Sequence, residues 1–76
     1  MKYSIVIHEA EEGGYWAEVP ALDGCFAQGE TIDEMLKDMR AAIESHLECL
    51  IEDGRDIPKD SGLQLATVTV AAPSAA

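Results

Sequence analysis

With 76 residues, the chain has room for one domain, and a domain this small buries only about 60% of its unfolded surface, so self-association is a useful way to cover more apolar area. Its hydrophobic content of 47% is that of a globular chain, and its formal net charge of −10, from 15 acids against 5 bases, repels a phosphate backbone while suiting a basic protein partner. No basic stretch followed by an apolar one opens the sequence, and no apolar run approaches the roughly 18 residues needed to span a bilayer; an acidic, cytoplasmic homo-oligomer is expected, without direct nucleic-acid binding or membrane association.

Residues 2–9 alternate around a β-branched centre, with Tyr3, Ile5 and Ile7 on one face and Ser4, Val6 and His8 on the other, the pattern of a strand. Glu11, Glu12, Gly13 and Gly14 follow as a polar hairpin connection ending in two residues that tolerate positive φ. A second strand is expected over residues 15–19. Tyr15 and Trp16 are adjacent in it, so they point to opposite faces; one joins the core and the other is exposed or covered by a partner. Pro20 cannot donate a ladder hydrogen bond and marks the strand's end, Asp23-Gly24 signals a turn, and residues 25–28 form a third strand of an antiparallel meander.

Thr31 and Glu34 have the spacing of a capping box, with the Glu34 carboxylate expected to reach back to the Thr31 amide. Ile32, Met35, Leu36, Met39, Ile43, Leu47, Leu50 and Ile51 recur every three or four residues as one helical stripe. Gly54 is placed as the residue after the helix end, and Pro58 forbids continuation. Residues 66–70, reading A-T-V-T-V, are expected to form a fourth strand. The predicted class is therefore α+β, with the order βββαβ: a three-stranded antiparallel meander, one long helix and a further strand.

Residues 19–34 read V-P-A-L-D-G-C-F-A-Q-G-E-T-I-D-E. This stretch closely resembles the HicB-like antitoxins of bacterial toxin–antitoxin systems, whose members carry V-P-x-L-x-G-C-x-x-x-G-x-T-x-x-E after a hairpin with an aromatic-rich second strand. The structural positions carried over are Pro20, Gly24, Cys25, Gly29, Thr31 and Glu34, and Gly54 joins them as the helix terminator. The resemblance covers residues 1 to about 58 and implies a partial ribonuclease H-like (HicB-like) fold; residues 1–71 are expected to form the domain, and the small, Pro-containing stretch 72–76 a disordered tail. It further implies an antitoxin that binds and sterically neutralises a small basic HicA-type toxin, a messenger-RNA-cleaving ribonuclease with a catalytic histidine. The toxin-binding residues expected are Tyr15, Trp16, Glu18, Leu22 and Asp23. Family members often continue into an operator-binding module, but the sequence ends shortly after Val70, and no such activity is expected of this chain.

Catalytic chemistry finds no footing. His8 and His46 lack a second ligand at metal-binding spacing, and Cys25 and Cys49 form no C-x-x-C pair. Ser4, Ser45 and Ser61 have no nucleophile-elbow context. Cys25 is expected to pack beneath the helix as a small apolar group. The acidic pairs Glu11-Glu12, Asp33-Glu34 and Glu52-Asp53 fall at turns or helix ends, and the centre of the first strand, Ile5-Val6-Ile7, carries no acid for two-metal nuclease chemistry. No enzyme activity, cofactor or metal is expected. Two other readings stay open: a stand-alone oligomeric binding or assembly module of HicB-like fold without a toxin partner, and a degenerate enzyme.

Overall fold

Where the sequence alternates, three short strands form: β1 (Val6–Glu9), β2 (Tyr15–Glu18) and β3 (Phe26–Gly29), followed by the helix α1 (Ile32–Glu52). The computed structural model describes residues 1–74; the last two alanines, part of the tail expected to be disordered, lie outside the described residues. The strands pair antiparallel in the order β1-β2-β3, with Ile7 opposite Ala17 and Ala17 opposite Ala27 across the centre. The architecture is the expected α+β meander and helix. The first strand is shorter than expected at its start: the Ser4 amide and hydroxyl each donate at 2.8 Å to the Asp60 carboxylate, and the Tyr3 hydroxyl donates to the Pro58 carbonyl at 2.6 Å. Residues 3–4 are thereby pinned to the segment that follows the helix.

Small residues at the sheet centre let the helix lie close. Ala17, Ala27 and Cys25 are buried with Val19, Leu22, Met35, Met39 and Leu50, and Tyr3, Ile5, Tyr15, Ala42, Ile43 and Leu47 pack around them. Cys25 sits where the sequence puts it, among apolar neighbours. Leu22 does not: it is only 1% exposed. The loop holding it is a double turn, with the Leu22 amide bonded to the Val19 carbonyl at 3.0 Å and the Cys25 amide to the Leu22 carbonyl at 3.1 Å. Gly24, at φ +79°, occupies the position of the second turn that requires positive φ. The loop folds over the end of the sheet and drives Leu22 inward. At Gly29 the approach is closer still, since a Cβ there would lie 2.4 Å from the Met35 backbone nitrogen.

Thr31 caps the helix, its hydroxyl accepting from the Glu34 amide at 3.1 Å. The reciprocal bond differs from expectation by one residue: the Glu34 carboxylate accepts from the Glu30 amide at 3.1 Å, so it secures the residue before the cap. The helix ends in a Schellman motif, with the Arg55 amide bonded to the Leu50 carbonyl at 2.9 Å and the Gly54 amide to the Ile51 carbonyl at 3.0 Å. Gly54 takes φ +68° there, as expected of it. The apolar stripe is wider than the buried face, and Ile32, Leu36 and Ile51 remain exposed.

The fourth strand is the point of departure. Residues 66–70 belong to no strand and are exposed along their length. Their local preference is extended, but a strand exists only as one side of a hydrogen-bonded ladder, and the single chain brings no edge to them. The molecule measures 58 × 27 × 17 Å with a radius of gyration of 16.2 Å, against about 11 Å for a compact chain of this length.

Candidate functional site

Strand alternation sorts the sheet into two faces. Tyr15, Ala17 and Ala27 face the helix, while Trp16, Glu18, Phe26 and Gln28 face away from it, joined by Val6 and His8 from β1 through the register His8↔Trp16↔Gln28 and Val6↔Glu18↔Phe26. Of the two adjacent aromatics, Tyr15 therefore packs against the core and Trp16 stands on the open face. Trp16 is not alone there. The His8 ring stacks on it at 4.1 Å between centroids and 13° between planes, and Phe26 leans on its other side at 6.3 Å and 50°. His8 Nε2 lies 3.4 Å from Glu18 Oε2, a contact that becomes ionic when the imidazole is protonated. Phe26 is 58% exposed, a large apolar surface held in place by a neighbour rather than by the core.

This face is an aromatic ridge rimmed with carboxylates, the kind of surface that anchors a protein partner. The residues expected from sequence divide accordingly. Trp16 and Glu18 lie on the face, and Asp23 is exposed in the loop at the end of the sheet. Tyr15 is half-buried from the other side, and Leu22 is in the core, so its side chain offers no contact surface. His8 and Phe26 were missed. The signal for both lies in the register: His8 pairs with Trp16 across the hairpin, and Phe26 falls on the same face of β3.

A shallow groove runs from the hairpin past Gly14, Tyr15 and Gly29 to Glu34 and Asp38 on the helix. Asp38 uses its carboxylate to accept the Gln28 amide at 3.0 Å, which occupies one outward amide of β3. Elsewhere, burial pushes the Cys25 thiol up, and the bonds from the Ser4 amide and hydroxyl hold the Asp60 carboxyl below the usual aspartate value. Among the described residues no group of three or more His, Cys, Asp or Glu side chains could hold a metal ion, and no helix is long and apolar enough to cross a membrane.

Fold and face together define an α+β domain in which one helix covers a three-stranded meander and the opposite sheet face is left open. The model for the HicB_like antitoxin of bacterial toxin-antitoxin system matches residues 3–72, and the chain belongs to that family. It is 40% identical over 65 residues to the UPF0150 protein Ta0767 of Thermoplasma acidophilum, covering 86% of this chain and 94% of that one. Among solved structures it is similar to the N-terminal domain of the Burkholderia pseudomallei antitoxin HicB, with a TM-score of 0.68 and 39% identity over 80% of this chain and 72% of that one. It is also similar to the Burkholderia pseudomallei antitoxin HicB in a second crystal structure, with a TM-score of 0.67 and 40% identity over 75% of this chain and 43% of that one. A chain of the HicA3 and HicB3 toxin-antitoxin complex is also similar, with a TM-score of 0.63 and 34% identity over 74% of this chain and 64% of that one.

Proposed function

We propose that this chain is an antitoxin that binds a small, basic HicA-type toxin and neutralises it by covering the surface with which the toxin engages messenger RNA. The observation that carries this reading is the open sheet face, where Trp16 is clamped between His8 and Phe26 on a chain of net charge −10. Membership of the family and the likeness to a chain of the HicA3 and HicB3 complex support it. The mechanism is masking rather than catalysis: acids steer a basic partner in, and the aromatic ridge fixes the docked complex. Glu18 beside the ridge and Asp23 at the sheet end supply charge to the rim. The working form is a cytoplasmic homo-oligomer.

Surface-plasmon measurements with any small basic protein encoded beside this chain test the reading. Trp16→Ala or Phe26→Ala should weaken binding by on the order of 2 kcal/mol each if the ridge is the central anchor. Rising salt should slow association more than it speeds dissociation. Unchanged affinity for both variants moves the interface off this face, and failure to bind any such neighbour overturns the antitoxin reading. The alternative, an assembly module without a toxin, draws on the exposed uncharged segment after Asp60.

A further inference from the structure

We propose that residues 65–70 add as a strand to the free β1 edge of a second copy of this chain. Within the segment, Ala66, Val68 and Val70 alternate with Leu65, Thr67 and Thr69, the pattern of a strand with one small apolar face. Yet Leu65, Val68 and Val70 are 82%, 83% and 79% exposed.

The acceptor is the sheet edge beside which the segment starts. The sheet's two edges are β1 and β3. The β3 edge is partly taken, because the Gln28 amide already donates to Asp38. The β1 strand is bonded only to β2, leaving one row of amides and carbonyls open to another chain. Ile7 marks the same gap. It sits on the helix-facing side opposite the fully buried Ala17, yet it is itself exposed, because no strand flanks β1. An added strand would extend that face and cover it.

The donor begins beside this edge. The bonds from Tyr3 to Pro58 and from Ser4 to Asp60 hold the start of the segment at the entrance to β1, from which the single chain then runs outward. Two copies related by a two-fold axis can therefore exchange segments reciprocally, as an isologous pair does. The distribution of charge permits a second copy as occupant. All 15 acids and all 5 bases of the chain lie at or before Asp60, so residues 61–74 are the stretch where two copies, each at −10, meet without repulsion.

Sedimentation and isotope-filtered NOESY on the full chain alone decide the matter, separately from any toxin. The expected particle has twice the 8.2 kDa chain mass, and a mixture of labelled and unlabelled chains should give intermolecular contacts between residues 65–70 and β1. Val68→Pro, which removes a ladder donor from an exposed position, should raise the dimer dissociation constant roughly tenfold or more while leaving the helix signal intact. A monomer at micromolar concentration, contacts confined to one chain, contacts between two 65–70 segments only, or a dimer indifferent to Val68→Pro would each overturn the proposal.

Discussion

Replacing Gly29 with alanine should destabilise the domain sharply, for a reason unrelated to glycine's usual conformational licence. Gly29 is not among the glycines with positive φ, so its backbone accepts alanine, and lower unfolded-state entropy alone would stabilise the variant by about 0.4–1 kcal/mol. The obstacle is space. The new methyl would sit 2.4 Å from the Met35 nitrogen, 2.8 Å from the Glu34 carbonyl carbon and 2.9 Å from the Met35 Cα. The shortest approach is about 1 Å short of the 3.4 Å at which ordinary contact begins, and all three atoms are backbone of the first helical turn. No side chain can swing aside, so β3 and α1 must separate, loosening the fully buried Met35. Overpacking costs about 1–3 kcal/mol, and here the upper end of that range applies, giving a net loss of about 2–2.5 kcal/mol once the entropic gain is subtracted. A chain of this size has roughly 4–11 kcal/mol in total. Urea unfolding followed by far-UV ellipticity at fixed protein concentration measures the difference, and a thermal midpoint lowered by roughly 8–20 °C should accompany it. Stabilisation, or a change within about 0.5 kcal/mol, would refute the argument from close approach.

Leu22→Ala should cost about 2–5 kcal/mol in the same urea experiment, because the loop cannot follow its shortened side chain into the core. Cys49 is exposed and Cys25 buried, with the Cys25 thiol held above its free value of 9.0; a thiol reagent should modify Cys49 quickly and Cys25 only as fast as the domain opens, the two rates converging in denaturant. The Asp60 carboxyl is depressed below 3.8 by Ser4, first through its amide and then through its hydroxyl, so the clamp is intact above that value and is lost as pH falls through the lower folded one. Protection of the Ser4 amide in hydrogen exchange should fade in that acid range and be absent in Asp60→Asn at neutral pH if ionic acceptance is what holds it.

The parts legible in the sequence are those governed by neighbours along the chain. The hairpin glycines, the strand alternation, the Thr31 cap and the Gly54 terminator each follow from residues within a few positions, and each element falls close to its expected place. The departures involve partners far away in sequence or a choice between adjacent ones. A loop position such as Leu22 reads as surface until the double turn folds it inward. The ridge formed by His8, Trp16 and Phe26 needs the register of three strands at once. Residues 66–70 have the composition of a strand, but composition cannot supply the edge against which a strand is defined.

The segregation of charge along the chain has a consequence for how solution conditions act on it. Residues 1–60 carry every ionisable side chain, so their contacts respond to ionic strength within a Debye length of about 10 Å at 0.1 M salt. Residues 61–74 have nothing to screen or titrate, and whatever they bind is held by backbone pairing and apolar burial, which salts that strengthen burial leave intact. Ionic strength should then weaken the proposed binding of a charged partner to the sheet, chiefly by slowing its association, while sparing the proposed pairing of the tail, so that the two would answer to different variables.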